Sequence, residues 1–479
     1  MLSESLGEGL TKYVHTILDL LFAIDLCDNL HLALRSICEF VTPVRDAVQK
    51  RLLDIICYQL FKAPYQHPGK PQSPFETKEL NTGMDEKESE ACVMALKILG
   101  QFDFRNVLFK GIIKQIAEIY LDNDIAEVRM AAAMTCSSLL VNDPMFEEKT
   151  MNSQKIVTLA IEKMLIVAIA DPNAEVRMTV MKLFDEHYDV HLSQAENIRS
   201  LFIALNDEVF AIREIAITII GRIAIINPAY VMPSLRKTLI QLLTELEYSA
   251  ISRNKEESAR LLGILIHASN KLVKPYVEPI FTVLIPKLKD PSSGVASSIL
   301  SAVGALALSG GEDMLPFIDK LFHHVMESLN DQSSISKREA ALRTIRQIAT
   351  GTSYVIEPWF KYHGLMEALI NILKTEQSPA LRQEAVKVIG VLGAVDPYRF
   401  KVSQTNMLKQ KSKVTSGIEE SGEEIRPSSE EYYPMTAISS LMKILRDPSL
   451  AIHHTAVIQA VMYIFKTLGL KCISFLPQV

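Results

Sequence analysis

Eight times along this chain a polar or acidic residue is followed five positions on by a mostly apolar residue, six on by a mostly basic one and nine on by a small or apolar one. Asp207, Ile212, Arg213 and Ala216 carry the pattern most clearly. Asn123, Val128, Arg129 and Ala132 repeat it, as do Asp171, Val176, Arg177 and Val180. Asn254, Ala259, Arg260 and Gly263 follow, then Asp290, Val295, Ala296 and Ile299, and Asp331, Ser336, Lys337 and Ala340. Glu376, Leu381, Arg382 and Ala385 precede the last copy, Asp447, Ile452, His453 and Ala456. Successive sixth positions stand 48, 36, 47, 36, 41, 45 and 71 residues apart. Repetition at such a period constrains the fold strongly. Each copy is one small unit that cannot bury its apolar face alone, so the units must stack.

The clearest copy, 206–248, reads as turn, helix, turn, helix. Ile212, Ile215, Ile219 and Ile220 share one helical face, with Ala216 and Gly221 placing small residues beside it. Asn227 and Pro228 break the run, and a second apolar-periodic stretch continues to Tyr248. Two-helix repeats of the HEAT or armadillo kind have periods of about 40–47 residues. The expected fold is therefore all-α, a HEAT/armadillo-like α-solenoid of stacked two-helix repeats. The recurring Asp or Asn is expected to cap a helix start, where free N–H groups and the helix dipole favour a side-chain oxygen. Pro172, Pro291 and Pro448 follow it, where a missing N–H costs least. The recurring Arg either reaches an acidic group in its own or the next turn, making a ladder, or is simply solvated. Ala296 and His453 would interrupt such a ladder.

Taken in order, 1–61 is helical. Ile17, Leu20, Leu21 and Ile24 share a face, and Pro43 opens a helix carrying Val48, Leu52, Leu53 and Ile56. Pro64, Pro68, Pro71 and Pro74 mark 62–86 as a flexible linker. Repeats occupy 87–355 and continue through 356–479, with an insertion at 400–432. There Lys401, Lys409, Lys411 and Lys413 precede Glu419, Glu420, Glu423, Glu424, Glu430 and Glu431, a composition that predicts disorder. Asp447 is expected to open a helix running to about Leu468, and Phe475, Leu476 and Pro477 to begin a further repeat. The array is then expected to run on, leaving Ile464, Phe465 and Ile473 facing a missing neighbour.

Composition narrows the function. Hydrophobic residues make up 48% and charged residues 22%, as in folded globular proteins. Nineteen glycines and one tryptophan argue against a β-rich or catalytic α/β design. A net charge of −6 argues against nucleic acid as the main partner. Cys27, Cys38, Cys57, Cys92, Cys136 and Cys472 lack CxxC spacing and read as buried thiols of a reducing compartment. No signal peptide is visible, and charges such as Arg222 cut the apolar helices short of a membrane span of about 20 residues.

Motifs for chemistry are missing. The sequence contains no GxxxxGK[ST], GxGxxG or GxSxG. Asp103, Phe104 and Arg105 resemble a kinase metal-binding triplet but lack its third-position glycine. His187 and His191, beside Asp185 and Glu186, have metal-ligand spacing without an identifiable third ligand, and a polar helix face accounts for them. The adjacent pairs His323–His324 and His453–His454 read as surface or turn residues. No catalytic, cofactor-binding or metal-binding residue is assigned.

Several stretches nevertheless resemble one family. They are 191–197 (HLSQAEN), 201–207 (LFIALND), 227–233 (NPAYVMP), 239–246 (LIQLLTEL), 373–377 (LKTEQ), 392–398 (LGAVDPY), 453–455 (HHT), 465–472 (FKTLGLKC) and 475–479 (FLPQV). In this order they resemble the N-terminal helical-repeat region of the TOR (target of rapamycin) protein kinases, with 356–479 similar to a TOR-specific segment. Residues 1–85 and 400–432 match poorly. The resemblance implies a fragment of a large serine/threonine protein kinase whose catalytic domain, with its ATP and Mg, lies elsewhere. It implies protein partners: a raptor-like substrate-recruiting subunit, other TOR-complex subunits and a second TOR protomer. It also implies nutrient and growth signalling in the cytoplasm and, through partners, on lysosomal or vacuolar membranes, with a nuclear pool possible, and neither nucleic-acid binding nor direct membrane insertion. The residues alone leave a second reading open, a free-standing HEAT adaptor such as a phosphatase scaffold or transport receptor.

Overall fold

A computed structural model describes residues 7–65, 84–105, 107–148, 150–352, 364–393 and 432–479, with Glu4, Tyr354, Pro358 and Tyr362 besides. Most of the expected linker at 62–86 and nearly all of the insertion at 400–432 lie outside the described residues. Among the described residues every regular element is helical. The chain divides into two compact units, Met1–Val231 and Met232–Val479.

In the first unit the main helices are α1 (Thr11–Leu21), α2 (Asp28–Phe40), α3 (Arg45–Phe61), α4 (Glu86–Gln101), α5 (Lys110–Ile119), α6 (Ala126–Asn142), α7 (Met151–Ala170), α8 (Ala174–Leu183), α9 (Ala195–Ala204) and α10 (Phe210–Ile226). α11 (Pro228–Tyr248) follows directly. Helices α4, α6, α8 and α10 pack in sequence as one row, and α5, α7 and α9 pack as a second row against them. The second unit repeats this plan. Its first row is α12 (Ser252–Ala268), α14 (Ser293–Gly310), α16 (Ile335–Gly351), α18 (Pro379–Gly393) and α20 (His454–Leu468). Its second row is α13 (Val277–Lys287), α15 (Leu315–Leu329), α17 (Leu365–Thr375) and α19 (Tyr432–Leu445). Each unit is thus two layers of helices with the core between them, the stacked two-helix arrangement expected from the repeat.

Small and hydroxylated residues set how closely the first row packs. Thr135 and Thr344 are each the tenth residue of their helix, α6 and α16. Thr135 Oγ1 donates 2.8 Å to the Leu96 carbonyl of α4, and Thr344 Oγ1 donates 2.8 Å to the Leu300 carbonyl of α14. At Gly351 a Cβ would lie 2.5 Å from the Ala307 oxygen and 2.8 Å from Leu308 Cα, so α14 and α16 meet there only because the side chain is missing. Ile212, Ala216, Ile219 and Ile220 are buried as expected, whereas Ile215 is half-buried and Ile217 lies in the core. Val48, Leu52, Leu53 and Ile56 are also buried, although a 3-10 turn at Thr42–Val44 holds Pro43 and the α-helix begins at Arg45.

Three expectations need correction. Ile17, Leu20 and Ile24 are exposed, and Leu18 is buried among the described side chains of α1, which packs mainly on the turns Gly7–Leu10 and Thr42–Val44. Asp447 does not open an α-helix. A 3-10 turn, Pro448–His453, comes first, and the helix starts at His454. Beyond it, Gly469–Gln478 is a 3-10 stretch that folds back on α19 and buries Phe475. Ile464 is fully buried, so Ile458, Met462 and Tyr463 are the large apolar residues that α20 exposes.

Two apolar stretches, Ser293–Leu329 and Leu450–Pro477, have the length and composition of a membrane span, contrary to the sequence reading. Both are interrupted at a positive-φ glycine, Gly311 at 56° and Gly469 at 57°. The longest α-helix within them has 18 residues, and 72% of the first apolar window is buried inside the fold.

Candidate functional site: a charged ladder and its exposed flank

The recurring polar residue works two positions ahead of where a helix cap would act. Asn123, Asp171, Asp207, Asp290 and Asp331 each accept, through Oδ1, the backbone N–H two residues on, at 2.8–3.0 Å. The helix begins one residue later still after the first four, and two residues later after Asp331. Each side chain therefore shapes the turn into the helix rather than capping its first amides.

That turn leaves the second carboxylate oxygen of the Asp free to reach the preceding repeat. Arg129 donates from Nε and Nη2 to Asp171 at 2.6 and 2.9 Å, while its Nη1 donates to the Asn123 and Asp124 carbonyls at 2.7 and 2.9 Å. Arg177 repeats this arrangement one unit on. It reaches Asp207 at 2.8 and 3.1 Å, Glu208 at 3.1 Å and the Asp171 carbonyl at 2.8 Å. These groups are almost fully enclosed, the Arg177 and Asp207 side chains being 7% and 5% exposed. Hydrogen bonding to Asp171 raises the Arg129 pKa further above its already high value, and Asp207 does the same for Arg177. The forked geometry fills both carboxylate oxygens, which is what keeps a buried ion pair from costing more than it returns.

The second unit carries a modified ladder. Lys255 donates to Asp290 at 3.0 Å. Ala296 stands where the next cation would be, and Asp331 pairs instead with Lys337 of its own repeat at 2.9 Å. Arg338 binds Glu376, with one Nη2–Oε2 contact of 3.3 Å. Arg382 Nη1 lies 3.1 Å from His453 Nε2, so a histidine takes the place of the carboxylate. His453 is therefore a buried rung member, not a surface residue. Two sequence assignments are corrected with it. Arg260 is exposed and Lys255 takes the ladder position, and Arg338 rather than Lys337 crosses to the next repeat. The reliable signal is distance from the helix start. Arg129, Arg177, Arg213, Lys255, Ala296, Arg338 and Arg382 are each the fourth residue of their helix, spaced 48, 36, 42, 41, 42 and 44.

The candidate chemical residues are not brought together. His187 lies in a 3-10 turn and contacts Asp185 at 3.1 Å, whereas His191 lies in a separate short helix with its ring 4.7 Å from that of Phe146. Burial pushes the His191 pKa down. Both line an open groove of about 470 Å³ with Pro144, Phe146, Val157 and Val190. Among the described residues no three His, Cys, Asp or Glu side chains are placed to hold a metal ion. Asp103 and Arg105 pair with each other at 3.2 Å, and Phe104 packs between Phe102 and Phe109. His323 and His324 both reach Glu327, at 3.3 and 3.0 Å. Cys38, Cys57, Cys92 and Cys136 are buried, and Cys27 and Cys472 half-buried. Burial pushes the Cys38 thiol up to about 11 and Cys57, Cys92 and Cys136 to about 12, so these four are poor nucleophiles.

Several large apolar side chains are exposed among the charged ones of this frame. Ile166, Ile203 and Ile225 are exposed on α7, α9 and α10 in the first unit, and Ile458, Met462 and Tyr463 on α20 in the second.

Comparison with known proteins agrees with these features. Residues 355–479 match the serine/threonine-protein kinase mTOR domain. Over its whole length the chain is 40% identical to serine/threonine-protein kinase tor1 of Schizosaccharomyces pombe, 36% to TOR2 of Saccharomyces cerevisiae and 37% to mTor of Drosophila melanogaster. It spans about a fifth of each (21%, 20% and 20%). Among solved structures, Kap121p covers 97% of this chain and 44% of its own with a TM-score of 0.56 at 17% identity, and Kap121p bound to Nup53p covers 99% and 46% with a TM-score of 0.58 at 18% identity. At that identity the likeness is one of fold, an all-α helical-repeat solenoid. By sequence the chain is similar along its whole length to the N-terminal region of TOR serine/threonine-protein kinases, and by fold it is an all-α helical-repeat solenoid.

Proposed function

We propose that this chain is a protein-interaction arm of a TOR-type serine/threonine protein kinase and does no chemistry itself. The observation that carries the reading is 40% identity to a TOR kinase along the whole of this chain, in a stretch whose described elements are all helical and stack as repeats. Stacked repeats offer long surfaces for partners. The buried ladder supports the reading, because its inter-repeat rungs fasten several repeats to the next and so hold exposed side chains in set positions. The partners would be a raptor-like substrate-recruiting subunit, other TOR-complex subunits and a second kinase protomer, in the cytoplasm and on lysosomal or vacuolar membranes. ATP and Mg would be held by a catalytic domain outside these residues. Purified 1–479 given ATP, Mg and protein substrates is expected to transfer no phosphate. Activity that survives repurification would overturn the reading.

A further inference from the structure

We propose that the contact between Arg382 and His453 is a proton-sensitive joint, fastening the turn before α20 to α18 at neutral pH and loosening it in mildly acidic surroundings. The rung differs from the others in its chemistry. Elsewhere in the ladder Arg or Lys faces a carboxylate, which stays ionised well below neutrality. Here the arginine donates to Nε2 of an imidazole, at 3.1 Å. That bond requires a neutral ring with its proton on Nδ1. A protonated ring has no lone pair to offer, and it sets two positive charges against each other in a site where His453 is 2% exposed.

The surrounding groups favour the neutral ring. On α18, Arg382 faces His453, while Glu384 is taken up by Arg346 at 3.3 Å and Lys387 at 2.8 Å. On its own chain, His454 stands beside it and contacts the Asp447 carbonyl at 3.3 Å. The packed α19 carries Lys443 in its last turn, and Arg446 and Asp447 follow the helix. Burial lowers the His453 pKa from 6.5, and Arg382 and His454 lower it further. The sign follows from the lowered value. Protons bind the loosened form better, so this contribution is present above about pH 6.5 and is lost as pH falls toward the folded-state pKa. The helix released is the one that exposes Ile458, Met462 and Tyr463, so acid would change how that apolar face is presented.

Hydrogen exchange of the whole chain at pH 7.5 and 5.5, corrected for the intrinsic pH dependence of exchange, tests the joint. In the wild type, protection of 454–468 is expected to fall by up to about tenfold per pH unit between about pH 6.5 and the folded-state pKa, and to level off below it. Protection of α6 and α8, which are held by Arg–Asp rungs, should not change. His453→Gln keeps a neutral acceptor and is expected to abolish the acid response. Should that variant already expose 454–468 at pH 7.5, Arg382→Met decides the matter, since removing the opposing cation should flatten the response. Equal protection at both pH values in the wild type, or a wild-type acid response in the variant that decides, would overturn the proposal.

Discussion

Asp171 shows how much one side chain can carry in this fold. Its Oδ1 both accepts the Asn173 N–H and receives Arg129, and its Oδ2 completes the fork. Asp171→Asn keeps the turn acceptor and removes the charge, leaving the Arg129 guanidinium buried without its counter-ion. Breaking a buried pair from one side costs about 3–5 kcal/mol. Denaturant unfolding should show a loss of that order, whereas Lys114→Ala at the exposed Lys114–Glu118 pair should change stability by less than about 1 kcal/mol. A loss for Asp171→Asn no larger than for Lys114→Ala would mean that the ladder fastens nothing. At Arg129, Arg177 and Arg382 the ladder position was legible in the sequence. Lys255 and Arg338 were missed because the register was anchored on the polar residue six positions before. That anchor fails where the turn is built differently. Ser249 replaces the Asp before α12, with a weaker 3.3 Å bond to Ile251 N–H, and Asp331 stands seven residues before Arg338.

At the scale of elements, helix faces were read well where two neighbours cover them and poorly where one does. The α3 face of Val48, Leu52, Leu53 and Ile56 is enclosed as periodicity required, but the same pattern in and just after α1 leaves Ile17, Leu20 and Ile24 in solvent. Periodicity reports which residues share a face, not whether another helix arrives to cover it. Contacts between helices were also illegible, since they depend on single atoms meeting across the layer. Gly351 is such a point. Gly351→Ala places a Cβ against the α14 backbone and is expected to cost about 1–3 kcal/mol, as overpacking does. Gly364→Ala, where nothing lies within 4 Å, is expected to be near neutral. Thermal unfolding of the two variants compares them directly, and equal melting temperatures would show that α14 and α16 do not meet at Gly351.

At the scale of the molecule, each unit is a stack in which a repeat touches mainly its neighbours, so stability is local and the surface is continuous. The fold class and the two-helix repeat were readable from spacing. His453 was not, because a histidine at a ladder position looks like an interruption until its ring is seen to accept from Arg382. The central claim is that exposed side chains on this frame hold partners while catalysis happens elsewhere. Charge substitutions at Ile203, Ile225, Ile458 and Met462, all exposed, should leave the stack folded. The direct measurement is capture of the full-length protein carrying these four substitutions, with co-purifying proteins quantified against the wild type and the proposed phosphorylation of a short peptide assayed on the same preparation. The account predicts the loss of at least one partner with peptide phosphorylation unchanged. Every partner retained at its wild-type ratio, or peptide phosphorylation lost while the partners remain, would contradict it.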